Sequence, residues 1–265
     1  MTAKARIDRL LVERGLVKSR EEAVRLILAG LVRVEGRRVD KAGLSVRSEA
    51  WIEVQAPPSF VSRGGDKLAH ALEAFGISVT GRVCLDVGAS TGGFTHCLLA
   101  RGARRVYAVD VGSGQLDAGL RSDSRVVVME NMNARHLVPE SIPETPDLAT
   151  VDVSFISLEK VLPPVVACLG PSGEVVALVK PQFEVGRDLV GKGGVVRDAA
   201  LHRAVVIRLA RFALLRGWHV PGVTASPLKG PKGNREFFLH LSRAKRTPAA
   251  IESIIVSVTG EGAAS

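Results

Sequence analysis

The chain reads as an α/β protein: a mostly parallel sheet with helices on both faces, preceded by a small α+β module. Three observations predict this. From residue 63 onward, apolar runs alternate with helical stretches, the pattern of strands buried on both faces. The run Val83-Cys84-Leu85-Asp86-Val87-Gly88-Ala89-Ser90-Thr91-Gly92-Gly93-Phe94 passes from a strand through a small-residue turn into a helix. Before residue 55 the chain instead mixes short helices with short β-type segments, and a Pro-rich stretch follows.

In the first segment, Ile7, Leu10, Leu11 and Leu16 fit a short amphipathic helix stopping near Gly15. Ser19-Arg20-Glu21-Glu22 has the form of a capping box, with Ser19 as N-cap and Glu22 reaching back. It opens a second helix with Ala23, Leu26 and Ile27 on its apolar side, closed by Gly30. Short β segments follow: Val32-Arg33-Val34, a Glu35-Gly36 turn, Val39, and Trp51-Ile52-Glu53-Val54. Residues 1–55 hold 12 Lys and Arg against 8 Asp and Glu. Arg6, Arg9, Lys18, Arg20, Arg25, Arg37, Arg38 and Lys41 are candidates for a phosphate-facing surface, since such contacts need cations and little else. Charge alone fits a solvated face equally well. The semi-rigid stretch Gln55-Ala56-Pro57-Pro58-Ser59-Phe60 sets the expected boundaries: module 1–55, linker 56–62, large domain 63–243 and tail 244–265. Two loosely coupled bodies are expected.

In the large domain, Ser62-Arg63-Gly64-Gly65-Asp66-Lys67 leads into a helix, Leu68–Phe75. Four apolar runs then end in charge: Val83-Cys84-Leu85 in Asp86, Val106-Tyr107-Ala108-Val109 in Asp110, Leu148-Ala149-Thr150-Val151 in Asp152, and Val175-Val176-Ala177-Leu178-Val179 in Lys180. Open α/β sheets bind ligands at the carboxyl ends of their strands, so these groups should meet at one crevice. Pro181 helps end its strand. Val126-Val127-Val128-Met129 is a further strand, and residues 234–241 form a last, antiparallel one with Glu236 near its beginning. A weakly amphipathic piece, Ile251–Val258, lies in the tail.

The turn after Leu85 predicts a ligand. Gly88 permits a tight turn, and Gly92 and Gly93 leave a helix N-terminus open to close approach. Asp110, about 20 residues on, stands where a nucleoside-binding fold holds a ribose. The dinucleotide spacing G-x-G-x-x-G fails, because Ser90 stands two residues after Gly88. An acid at the strand end also repels a pyrophosphate but suits a cofactor with an ammonium group, which points to S-adenosylmethionine. Asp110 is expected on the ribose hydroxyls, Asp86 near the ammonium, the Gly88–Phe94 turn (with Ser90, Thr91, Gly92 and Gly93) along the methionine half, and Asn133 near the adenine.

Composition narrows the class. At 265 residues and 46% hydrophobic the chain can build a sizeable core. A net charge of +9 points to an acidic partner, most simply nucleic acid. Cys84, Cys97 and Cys168 show no C-x-x-C spacing, so neither a metal site nor a disulfide framework is expected, and a reducing cytoplasm is the natural home. No apolar run reaches the ~18 residues of a membrane span, and no signal-peptide core follows Met1. The sequence carries no sign of oligomeric state.

The order of elements and the residues from Arg9 to Ala23 and Ile27 to Gly36 resemble the small RNA-binding module of ribosomal small-subunit protein four. That implies recognition of structured RNA by shape and phosphate. Residues 62–241 resemble the Rossmann-like, FtsJ-type RNA ribose 2′-O-methyltransferase fold, and the whole chain resembles the TlyA family. The resemblance rests on Ser62-Arg63-Gly64-Gly65-Asp66-Lys67-Leu68, Asp86–Phe94, Asp152-Val153-Ser154-Phe155-Ile156-Ser157-Leu158, Val179-Lys180-Pro181-Gln182-Phe183-Glu184 and Gly233-Asn234-Arg235-Glu236-Phe237-Phe238. It implies methylation of ribosomal RNA within ribosomal subunits, at cytidine, and maps a Lys-Asp-Lys-Glu catalytic set onto Lys67, Asp152, Lys180 and Glu236. Ser90-Thr91 departs from the Ala-Pro of many relatives of the wider fold. The family also carries the name haemolysin; absence of a spanning segment and a secretion signal speaks against a membrane-lytic protein. A non-catalytic assembly factor would not need the four polar residues intact.

A ribose hydroxyl is a poor nucleophile while protonated. Lys180 is the expected activator, as a base if burial or the cation Lys67 lowers its affinity for a proton from the free value of about 10.4. Asp152 and Glu236 would hold the lysines and oppose that shift. A protonated Lys180 would instead stabilise the developing alkoxide. No metal is required. Two glycine-containing loops, 187–197 and 229–235, carry Arg187, Lys192, Arg197, Lys229, Lys232 and Arg235. With Arg63 they are the candidates for RNA phosphates in this domain.

Overall fold

The computed structural model describes residues 4–55, 59–244 and 246–260, without the side chains of Arg187 and Pro231. Residues 56–58 of the expected linker lie outside the described residues. Internal contacts divide the chain into two units, Met1–Ser59 and Phe60–Ser265.

The first unit runs β1 (Lys4–Arg6), α1 (Ile7–Glu13), α2 (Arg20–Leu28), β2 (Val32–Val34), β3 (Arg37–Arg38), β4 (Ser45–Arg47) and β5 (Ile52–Val54). Ile7, Leu11, Ala23 and Ile27 bring the two helices onto Val32 and Ile52, which makes one small core. Ser19 caps α2 by accepting from the Glu22 amide at 3.2 Å. The Glu22 carboxylate accepts from the amide of Lys18, not from the cap residue itself, at 2.8 Å. Glu35 and Gly36, at φ 50° and 73°, turn β2 into β3 as a primed hairpin requires. β2 is central in the sheet β3-β2-β5, while β1 pairs with β4. Strands β1 and β4 escape a sequence reading because three residues each show no useful periodicity.

The second unit runs α3 (Arg63–Ala74), β6 (Val83–Val87), α4 (Gly93–Ala100), β7 (Arg105–Val109), α5 (Ala118–Ser122), β8 (Val126–Met129), β9 (Leu148–Val151), α6 (Leu158–Ala167), β10 (Glu174–Val179), α7 (Pro181–Glu184), α8 (Ala199–Leu214), β11 (His219–Ala225), β12 (Phe237–Ser242) and α9 (Ile251–Thr259). Its seven strands lie in the order β11-β12-β10-β9-β6-β7-β8. The five from β10 to β8 are parallel, and β12 inserts antiparallel between β10 and β11. Adjacent strand residues bury on opposite faces. Leu85, Tyr107 and Phe237 enter one cluster and Cys84, Val106 and Phe238 the other, as a sheet covered on both sides demands.

The structure adds to or departs from the expectations at four places. β6 does not end at Asp86 but continues to Val87, so Asp86 lies inside a strand. α3 begins at Arg63, because Ser62 caps it by accepting from the Gly64 amide at 3.3 Å. The edge strand β11 has no clear sequence pattern, since Pro221 and Gly222 interrupt it and its register shifts there. In the expected tail, α9 buries Ile255 in the same core as β12. Cys84, Cys97 and Cys168 are buried free thiols, packed as small apolar residues.

Candidate active site

From β6 the chain winds outward through β7 and β8, then returns to β9 on the other side of β6. Such a reversal opens a crevice at the carboxyl ends of the strands. Here it is a cavity of about 810 Å³, in the size range of small-molecule sites. Gly88 and Ser90 border it beyond β6, Asp110 beyond β7, Asn133 beyond β8, and Asp152 and Phe155 beyond β9. Gly88 has φ 86°, and a Cβ there would lie 2.4 Å from the carbonyl oxygen of Asp152. Only glycine lets the two strand ends approach this closely.

Asp110 ties the turn together. Its carboxylate accepts from the Ser90 amide at 2.8 Å and the Gly112 amide at 2.7 Å. Each oxygen keeps a lone pair for a further donor. Asn133 lines the cavity and also caps a turn, accepting from the Arg135 amide at 3.1 Å. Four of the expected cofactor residues therefore reach the cavity: Gly88, Ser90, Asp110 and Asn133.

Five others do not border it. Asp86 is fully buried and accepts from the hydroxyls of Thr95 at 2.7 Å and Thr150 at 2.9 Å. Burial pushes its carboxyl up to about 7, although the two hydroxyls pull the other way. Gly92 and Gly93 are required by protein rather than ligand: a Cβ would meet Leu120 at 2.3 Å and the Ser62 hydroxyl at 2.2 Å respectively. Phe94 is buried against Phe238, with ring centroids 6.2 Å apart. Thr91 uses its carbonyl to accept from the Asp117 amide.

The four expected catalytic residues form two ion pairs, and of the four only Asp152 lines the cavity. Lys180 Nζ lies 2.5 Å from Asp152 Oδ1 and donates to Ser154 Oγ at 3.0 Å. Lys67 Nζ lies 2.5 Å from Glu236 Oε2, and both residues are buried. Sheet register explains why groups so distant in sequence share one edge. Val179 pairs with Phe237, so Lys180 and Glu236 follow the same rung of the ladder. Val87 pairs with Val151, so Gly88 and Asp152 do likewise. Lys67 comes from α3. Glu236 Oε1 is buried with no hydrogen-bond partner among the described residues and lies against Gly230, where a Cβ would come within 2.0 Å.

Sequence reasoning gave no role to Ser154, Phe155 and Phe183, though all fall in the stretches that carry the family resemblance. Phe155 has φ 62° and is 89% exposed, with its ring 4.8 Å from that of Phe183. No residue-type rule marks a phenylalanine in a left-handed conformation, so no sequence signal could have found it.

The basic candidates separate clearly. Arg6, Arg9, Lys18, Arg20, Arg25, Arg37, Arg38 and Lys41 are all exposed on the first unit. Arg6 and Arg20 converge on Asp8, whose side chain is fully buried, at 2.9 and 2.8 Å. The bonds from Arg6, ahead of those from Arg20, hold that carboxyl far below the usual carboxylate range. In the second unit Arg63, Lys192 and Lys232 are exposed. The side chain of Arg187 lies outside the described residues. Arg235 is spoken for: its guanidinium donates to the carbonyls of Val258 (3.2 Å), Thr259 (3.4 Å) and Gly260 (2.9 Å), closing α9.

Comparison with known proteins decides the family. Residues 60–243 match the family model described as FtsJ-like methyltransferase, and residues 5–52 match the S4 domain. Over 243 residues, 91% of each chain, the sequence is 53% identical to the 16S/23S rRNA (cytidine-2′-O)-methyltransferase TlyA of Mycobacterium tuberculosis. The chain belongs to the TlyA family of FtsJ-like methyltransferases. It is also 42% identical to Hemolysin A of Brachyspira hyodysenteriae, over 89% of this chain and 98% of that one. A solved structure of a haemolysin-named protein from Streptococcus thermophilus aligns with TM-score 0.74 at 41% identity, covering 97% of this chain and 96% of that one. The methyl donor of this TlyA family member is S-adenosylmethionine. A cavity with a carboxylate beyond the second parallel strand and a glycine turn beyond the first fits that molecule. Among the described residues no helix is long and apolar enough to cross a membrane.

Proposed function

We propose that this enzyme methylates ribose 2′-hydroxyls of ribosomal RNA, at cytidine, in ribosomal subunits in the cytoplasm. The observation that carries the reading is the pair of lysine–carboxylate bridges, one of which includes the cavity-lining Asp152. When bound, S-adenosylmethionine supplies a methyl group made electrophilic by its sulfonium. Asp110 and Asn133 would hold its nucleoside end, and the backbone from Gly88 to Ser90 its other half.

The chain's own residues prepare the hydroxyl. Lys180 is ion-paired with Asp152 and donates to Ser154, which fixes its amine for the ribose hydroxyl. Lys180 passes a proton to Asp152, which frees its lone pair, and the amine then takes the proton that the ribose oxygen loses. The positive charge it regains offsets the developing alkoxide. Lys67 and Glu236, the second bridge, orient the ribose; positioning of this kind contributes several kcal/mol. Phe155 and Phe183 offer aromatic faces on which a splayed-out base can stack. The exposed cations of the first unit hold the surrounding RNA by its phosphates.

The test incubates purified protein with labelled S-adenosylmethionine and separate unmodified subunits, then maps the modified nucleotide. Lys180→Ala should lower the rate by roughly 10²–10⁴-fold, the range of a lost proton-transfer group. Unchanged methylation by that variant sinks the assignment.

A further inference from the structure

Two basic loops lie near Glu236, just before β12, and the structure joins them. The loop from Gly191 to Arg197 folds back on itself through a Gly191–Val195 bridge. Asn234, which is buried, grips that loop with both ends of its carboxamide: Oδ1 accepts from the Val196 amide at 3.0 Å and Nδ2 donates to the Gly194 carbonyl at 2.9 Å. The side chain thus acts as a short piece of neighbouring strand. His202 of α8 completes the hold, its Nε2 donating to the Val196 carbonyl at 2.9 Å. Asn234 simultaneously belongs to the other loop, where its own carbonyl accepts from the Gly230 amide at 2.9 Å. Lys232 Nζ lies within 3.5 Å of the point where a side chain on Gly194 would begin.

The surface made this way is cationic. Lys192, Arg197, Lys229 and Lys232 are all exposed, and none has a carboxylate partner among the described residues. Arg82, Arg104, Arg121, Arg125 and Arg208 elsewhere in the unit are each matched by an acid. Unmatched cations on a preassembled bracket suit a regularly spaced polyanion.

We infer that the two loops form one clamp for the RNA backbone flanking the target nucleotide, and that Asn234 is the positioning residue that builds it. The inference rests on the RNA reading above and adds the part of the substrate held here: backbone phosphates next to the reacting ribose. Because Asn234 is two residues from Glu236, a phosphate held on this clamp places the ribose relative to Lys67 and Glu236. Asn234 touches neither donor nor ribose. It acts by holding Gly194 and Val196.

The experiment compares the full-length parent with Asn234→Ala and with the surface pair Lys192→Gln/Lys232→Gln, using unmodified ribosomal subunits and labelled S-adenosylmethionine. Amide hydrogen exchange of residues 191–197 reports the bracket directly. Asn234→Ala should speed exchange there and raise KM for the subunit about tenfold, more than it lowers kcat, while the dissociation constant for S-adenosylmethionine stays the same. The lysine pair should raise KM with thermal melting unchanged and flatten the salt dependence of binding by about two in slope, one per lost phosphate contact. Unaltered exchange in Asn234→Ala, or an unaltered KM in either variant, overturns the clamp. Since the parent's methylation is scored in the same assay, its failure there instead indicts the ribose reading.

Discussion

Asp86 shows how a single buried carboxylate separates what the residue type suggests from what its surroundings allow. Both of its oxygens are occupied by the hydroxyls of Thr95 and Thr150, and it links β6, β9 and α4 without reaching the cavity. Burial raises its affinity for a proton, to about 7, from an unfolded value near 3.9. Between those limits the folded protein keeps a proton that the unfolded chain releases. The stabilising protonated form is therefore complete below about 4 and is lost as pH rises through about 7. Asp86→Asn carries no charge to bury. Its stability relative to the parent should improve by a few kcal/mol from about pH 4 to pH 7, then level off. Urea unfolding across that range checks it, and parallel pH profiles for the two proteins would falsify the assignment. Lys180 and Asp152 follow another logic: each is only partly exposed, and they answer each other's charge at 2.5 Å.

At the scale of elements, the site depends on how β12 is entered. Antiparallel pairing with β10 brings Glu236 beside Lys180, although 56 positions separate them in the chain. The turn before β12 then seats the Glu236 carboxylate against bare backbone at Gly230. In Gly230→Ala a methyl group would fall 2.0 Å from Oε1. The carboxylate is the flexible end, so it moves off and its bridge to Lys67 is lost. Misplacement by about 1 Å costs on the order of 10²-fold in rate. We expect that loss together with a lower melting temperature, because a buried bridge is broken; near-parental turnover would show that Glu236 does not orient the substrate. The same scale explains what the motifs left out. Gly92 and Gly93 look like a ligand-approach site in sequence, yet Leu120 and Ser62 occupy the space their missing side chains leave. A sequence shows that a position needs glycine, not which neighbour requires it.

For the molecule as a whole, the net charge of +9 resolves into two kinds of cation. Some are neutralised locally, as Arg208 is by Glu159 and Glu184. Others, such as Arg9 and Arg37 on the first unit, are exposed and have no ion-pair partner among the described residues. The second kind governs RNA affinity through counterion release. Arg9→Gln with Arg37→Gln should weaken subunit binding and reduce the slope of log affinity against log salt by about two, leaving S-adenosylmethionine binding intact. An unchanged slope in a salt titration removes these residues from the RNA surface.

The alternation of buried strands and helices, the strand ends at Asp110, Asp152 and Lys180, and the Ser19 cap were legible in the sequence because each is a local pattern with a local cause. Periodicity, a turn residue or a capping side chain acts within a few positions, so the chain alone determined an α/β domain behind a small basic module. Resemblance of its motifs supplied the chemistry. Tertiary structure decided the rest: that Asp86 is a buried brace, that β11 completes the sheet, that Arg235 closes α9, and that Lys67 meets Glu236 across the molecule. Those facts depend on register and packing between segments far apart in the chain, and a contact made through space leaves no period in the sequence by which to read it.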